Sequence, residues 1–149
     1  MADIKNQLSE DVKAAMRSKD KDRLGALRLI QAAFKQKEVD ERVEINDEMA
    51  IAILDKMAKQ HRDSIDQFTQ AGRDDLVGKE QFELDIIETY LPARLSEAEI
   101  NDMIANAITE TGAASIKDMG KVMGILKGQL QGRADMGQVS GLIKARLNA

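Results

Sequence analysis

The chain has 149 residues, 43% hydrophobic, 32% charged and 3% aromatic, with one proline, one histidine and no cysteine. That length holds one or two small domains, and the cysteine count excludes disulfides, thiol nucleophiles and thiolate metal sites; a single histidine excludes a His-rich zinc centre. Its 22 Lys+Arg against 26 Asp+Glu leave a net charge of only −4, so the molecule as a whole does not attract polyanions and any basic surface must be local.

The opening residues, Met1-Ala2-Asp3-Ile4-Lys5-Asn6, lack the basic-then-apolar pattern of a secretory signal, and no stretch is long and apolar enough to span a bilayer. These features predict a cytoplasmic protein without membrane contact. Hydrophobic spacing is helical almost throughout. Ile4, Leu8, Val12 and Met16 recur every fourth residue. Leu27, Ile30 and Phe34 make a second stripe, Leu54, Met57, His61, Ile65 and Phe68 a longer third, and Phe82, Ile86 and Tyr90 a fourth. No segment alternates with period two, so the expected fold is all-α.

Boundary signals agree. Asn46 is a candidate N-cap, Gly72 a candidate helix end, and Ser96 with Glu99 forms a capping box. Gly112 is placed to end the helix that Ser96 starts, and Asp135 to cap a last helix from about Met136 to Leu147. The only proline, Pro92, falls between two helical stretches and disfavours helix at the residue before it. The expectation is an N-terminal domain, 1–92, of four helices including one long one, and a smaller C-terminal helical domain, 93–149.

Charge divides unevenly between these parts. Residues 1–92 carry 15 basic against 20 acidic side chains, whereas residues 111–149 carry six basic against two acidic. The six are Lys117, Lys121, Lys127, Arg133, Lys144 and Arg146. If 115–128 is one helix, its 100° step places Gly120, Gly124 and Gly128 within about 80° of one another, with Lys117, Lys121 and Lys127 on the same face and Met119, Val122, Met123 and Leu126 opposite. Interior glycines cost about 1 kcal/mol each relative to alanine. A bare backbone ringed by ammonium groups suits the close approach of a phosphate chain, and Gly132-Arg133-Ala134-Asp135 leads into a helix start whose free N–H groups favour anions. The competing reading is that glycines spaced by four let two helices pack tightly. Residues 93–149 hold no aromatic side chain, so base stacking is not expected and nucleic acid would be read through backbone and shape.

At these residues the sequence resembles the GatB/YqeY family. The resemblance rests on Gly112 to Gly124 (GAASIKDMGKVMG), Gly132 to Asp135, Val139-Ser140 and Leu142 to Lys144, and upstream on Lys59 to Ile65 with Phe68, Ala71 to Leu76 and Tyr90-Leu91-Pro92. The C-terminal half is similar to the tail domain of the GatB component of the glutamine-dependent aspartyl/glutamyl-tRNA amidotransferase. The resemblance implies an all-helical two-domain protein, related to carbon–nitrogen ligases with glutamine as amido-N-donor, whose tail holds tRNA. It points to Lys117, Gly120, Lys121, Gly124, Gly132, Arg133 and Lys144. Adding the basic residues of the same segment, the candidate nucleic-acid site is Lys117, Gly120, Lys121, Gly124, Lys127, Arg133, Lys144 and Arg146.

Catalysis is not expected within the chain. Amide transfer needs an activated nucleophile and a second site that binds ATP and Mg²⁺. Cysteine is absent, the six serines lie in no glycine-rich nucleophile motif, and there is no phosphate loop. His61 reads as a core or rim histidine on an apolar stripe. Asp74-Asp75 with Glu80 and Glu83 offers carboxylates for Mg²⁺, but acids after a helix cap are usually a solvated first turn. No cofactor, metal site or catalytic residue is therefore assigned. The reading is a non-catalytic tRNA-binding accessory module whose acidic N-terminal domain docks an amidotransferase or another protein; the alternative is a protein-interaction module without RNA contact.

Overall fold

A computed structural model describes residues 3–148. Met1 and Ala2, where the segment read for a signal begins, and Ala149 lie outside them. Among the described residues every regular element is helical, in the order α1 (Asp3–Ser18), α2 (Lys21–Glu41), α3 (Asp47–Gln70), α4 (Asp74–Thr89), α5 (Glu97–Thr111), a 3₁₀ turn (Ile116–Asp118), α6 (Met119–Leu130) and α7 (Met136–Leu147). Contacts divide the chain into two compact units between Leu91 and Pro92. Among the described residues no helix is long and apolar enough to cross a membrane.

In the first unit four helices enclose one core, in which Leu8, Leu27, Ile30, Ile45, Leu54 and Ile87 are essentially sealed from water. Polar groups fix how the helices start and join. Asn46 caps α3 by accepting from the Met49 N–H at 2.8 Å, and Asp47 in its first turn accepts from the Ile4 N–H of α1 at 3.0 Å. Glu38 takes Lys5 at 2.7 Å and the Ile45 N–H at 3.1 Å, tying α1, α2 and the α2–α3 loop together. Those two donors, Lys5 first, hold the Glu38 carboxyl below its ordinary value. The Tyr90 hydroxyl donates to Asp11, and its ionisation is pushed well above the usual tyrosine range, by burial first and by that carboxylate second. The turn into α4 uses Gly72 at φ +70°, in the left-handed region.

Two stripe residues depart from the spacing. Met16 is 53% exposed, because Ala15 takes the seam next to Leu8 and Val12. Phe82 is 42% exposed, because α4 turns Glu83, Leu84, Ile86 and Ile87 inward instead.

In the second unit α5, α6 and α7 surround a core of Ile104, Val122, Leu126, Leu130, Val139 and Ile143. The Ser96–Glu99 capping box forms at the start of α5, and Gly112 ends that helix at φ +68°. Leu95 donates its N–H to the Arg133 carbonyl at 2.9 Å, so the α6–α7 connection is held to the segment before α5.

Candidate nucleic-acid interface

The helix that carries the glycines is shorter than the spacing implies. It begins at Met119, preceded by the 3₁₀ turn. The cause is Asp118, whose carboxylate accepts from the N–H groups of Ala114, at 3.0 Å, and Ser115, at 3.4 Å. These bonds lower the Asp118 pKa and close a local turn in place of a longer helix. Lys117 therefore leaves the lattice of α6 and does not share its glycine face by helical register, although it is exposed.

On α6 the projection holds. Gly120, Gly124 and Gly128 are exposed, and a Cβ built on any of them would meet no atom within 4 Å. Among the described residues no helix of the second unit packs there, which disfavours the tight-packing reading of these glycines. Lys121 and Lys127 lie on the same side of α6, at about 100° and −20° from Gly120. Val122, Leu126 and Leu130 fill the opposite, buried side. Among the described residues Lys127 has no ion pair, and Lys121 has only Asp118, 3.9 Å away with the lysine 71% exposed. Such a contact contributes little and is readily exchanged for another anion.

A second face of the same kind lies on α7. Gly137 and Gly141 are exposed, nothing lies within 4 Å of a Cβ at Gly141, and Gly137 meets only the Asp135 carboxylate at 3.3 Å. One helical register gathers these two glycines and Lys144, about 40° and −20° from Gly137. Sequence reasoning missed this pair, although the four-residue spacing was available to it.

Three expected contributors are engaged by local hydrogen bonds. Asp135 accepts from the Gly137 N–H at 2.9 Å, so the start of α7 is capped by its own carboxylate and is not an open anion site. Arg133 is half-buried and directs its Nε at the Ala93 carbonyl, 3.5 Å away, while its own carbonyl receives Leu95. Arg146 donates to the Asn101 carbonyl at 3.0 Å. Both arginines brace the unit. The cations of this set with no hydrogen bond to the unit's own main chain are Lys117, Lys121, Lys127 and Lys144.

The acidic candidates in the first unit separate. Asp75 is exposed and paired with Arg73 at 3.1 Å, and Asp74 is exposed, as a solvated first turn should be. Glu80 and Glu83 behave differently. Their side chains are 22% and 12% exposed, and both approach His61 of α3.

Comparison with known proteins gives a family and several relatives. The model of the family described as Yqey-like protein matches residues 5–147. Altered inheritance of mitochondria protein 41, mitochondrial, of Pyrenophora tritici-repentis is 35% identical over 133 residues, covering 86% of this chain and 71% of the relative. The protein of the same name from Eremothecium gossypii is 41% identical over 101 residues, covering 67% of this chain and 55% of the relative. That from Saccharomyces cerevisiae strain YJM789 is 40% identical over 85 residues, 56% of this chain and 46% of the relative. The chain thus spans only part of the length of the curated relatives it matches. Their names overturn the expectation of a cytoplasmic location, because these relatives are named mitochondrial. The expectation rested on the lack of a secretory signal, which is silent about other compartments.

Proposed function

The chain belongs to the YqeY-like family, and from that premise we propose that it is a non-catalytic accessory module that holds RNA, tRNA first, by its phosphodiester backbone. The observation that carries this reading is the open glycine face of α6, where no atom lies within 4 Å of a Cβ at Gly120, Gly124 or Gly128. Three helix-weakening residues on an exposed face have no packing role to offset their cost, which is about 1 kcal/mol each. Close approach of a ligand to the main chain supplies such a role. Lysines beside that face select an anion, and the lack of aromatic side chains in 93–149 selects the sugar–phosphate backbone over the bases.

The amide-transfer chemistry implied by the GatB/YqeY resemblance belongs, in this reading, to an assembly that the module serves.

The test is binding of a fluorescent tRNA followed by anisotropy across a salt series. Affinity should fall steeply with salt, and each phosphate contact removed should flatten the log–log slope by about 0.7–0.9. Lys121→Ala and Lys127→Ala should each weaken binding and flatten the slope, and Lys117→Ala and Lys144→Ala should extend the footprint beyond α6. Unchanged binding in the four-lysine variant would reject the proposal.

A further inference from the structure

His61 sits on α3 opposite α4, and both its ring nitrogens are accounted for. Nδ1 lies 2.9 Å from the Met57 carbonyl oxygen, one turn earlier in the helix. A carbonyl only accepts, so Nδ1 carries a proton and donates it. That bond fixes the ring and aims Nε2 out of α3. Nε2 then faces two carboxylate oxygens, Glu83 Oε1 at 3.4 Å and Glu80 Oε2 at 3.6 Å. The two glutamates are three residues apart on α4, hence on one face of it. All three side chains are at least three-quarters buried, so water screens them poorly.

An acceptor nitrogen directed at two acceptor oxygens needs a cation between them. A second ring proton gives a short bond, about 2.7–2.9 Å for a charged N–H donating to a carboxylate, and it points at one oxygen rather than two. The observed separations are longer and nearly equal. These two separations are close to the edge of a tetrahedral site, since ligand bonds of about 2.0–2.1 Å leave neighbouring donor atoms about 3.4 Å apart. The three donor atoms lie within 4.8 Å of one another. A ligating histidine also usually donates its other N–H to a carbonyl or carboxylate, the arrangement Met57 provides.

We propose that His61, Glu80 and Glu83 form a site for one divalent transition-metal ion of the zinc class, clipping α3 to α4. An imidazole nitrogen selects against Mg²⁺ and Ca²⁺, which prefer all-oxygen shells. A neutral imidazole and two carboxylates carry a charge of −2, which a divalent ion cancels. Three protein ligands leave the fourth tetrahedral position to solvent. The site lies wholly within the first unit and does not depend on the RNA reading.

The chain has a single histidine, so its ring nitrogen resonances can be assigned without ambiguity. The experiment adds zinc chloride to the chelator-stripped full chain at neutral pH, following the ring by long-range nitrogen-15 NMR and the melting temperature by circular dichroism. One equivalent of zinc should displace the Nε2 resonance while Nδ1 keeps its proton, and should raise the melting temperature. Mg²⁺ at equal concentration should do neither. Glu80→Gln, at the more exposed ligand, should fold with unchanged helicity and bind zinc at least tenfold more weakly, whereas Asp74→Asn should bind it normally. An Nε2 resonance unmoved by zinc, equal responses to Mg²⁺ and zinc, or undiminished affinity in Glu80→Gln would each overturn the proposal.

Discussion

The two units differ in which charges brace them, although exposed lysines without an ion pair among the described residues, such as Lys35 and Lys59, occur in the first as well. In the first, charged side chains hold the fold: Lys5 and Glu38 join α1, α2 and a loop, Tyr90 reaches Asp11, and Arg62 reaches Glu88 at 3.0 Å. In the second, Arg133 and Arg146 are used in that way, but Lys117, Lys127 and Lys144 are not. Lys117, Lys127 and Lys144 are exposed, without an ion pair among the described residues, and the last two stand beside uncovered glycines. A lysine left out of a fold's own bonding contributes little to stability, so its removal should be nearly silent unless it meets a partner. The first unit's polar groups can therefore be examined by stability, and the second unit's lysines by binding.

The largest effect should come from the shared feature, the sealed core. Leu54→Ala and Leu126→Ala each remove a side chain with no exposure and should destabilise by about 2–5 kcal/mol in urea unfolding. A loss below 1 kcal/mol at Leu126 would mean that α6 is not anchored by its apolar side, and the geometry of its glycine face would fail with it. Next in size is Tyr90→Phe, which takes the phenolic donor from the partly buried Asp11. A hydrogen bond to a charged group is worth about 1.5–3 kcal/mol, and the lower end applies because Gln7 still donates to Asp11 at 2.9 Å.

A pH measurement sharpens the same contrast. The Glu38 pKa is lowered in the folded protein, so its contribution is present above the ordinary value of 4.5 and fades as pH falls through the folded value. Glu38→Gln should lower stability at neutral pH and flatten the acid limb of the stability profile below 4.5. Lys127→Ala should leave that profile unchanged while weakening RNA binding. If Lys127→Ala altered stability as much as Glu38→Gln, the division between bracing charges and available charges would not hold.

Much of this architecture is legible in the sequence because its signals are local. Asn46, Ser96 and Asp135 act on N–H groups two or three residues away, and Gly72 and Gly112 adopt the left-handed conformation where glycine is favoured. Apolar stripes identify helices but not which edge of a stripe meets a neighbour, so Met16 and Phe82 are misplaced. The candidate interface is legible in the same partial sense. The open face of α6 follows from spacing within one helix, whereas the bracing roles of Arg133 and Arg146 depend on carbonyls 40 and 45 residues away. The His61 cluster is missed for that reason too: its glutamates lie 19 and 22 residues further along, and only the pairing of α3 with α4 brings them to the ring.

The smallest expected change in stability belongs to Gly124→Ala, and its sign carries more than its size. With open space where the methyl would stand, alanine should stabilise α6 by up to about 1 kcal/mol through its helix propensity. If RNA backbone lies against that face, the same methyl holds the ligand away and affinity falls. The two effects have opposite signs, so a general loss of folding cannot imitate them. Gly124→Leu should widen the gap, keeping most of the stability gain and losing more affinity. The equivalent change on α7, Gly141→Ala, asks whether the second glycine face takes part: a stabilised protein with weaker RNA binding places both helices against the ligand. A stabilised protein with unaltered binding confines the contact to α6, and equal binding in Gly124→Leu would remove the only physical reason for reading these glycines as a surface for RNA.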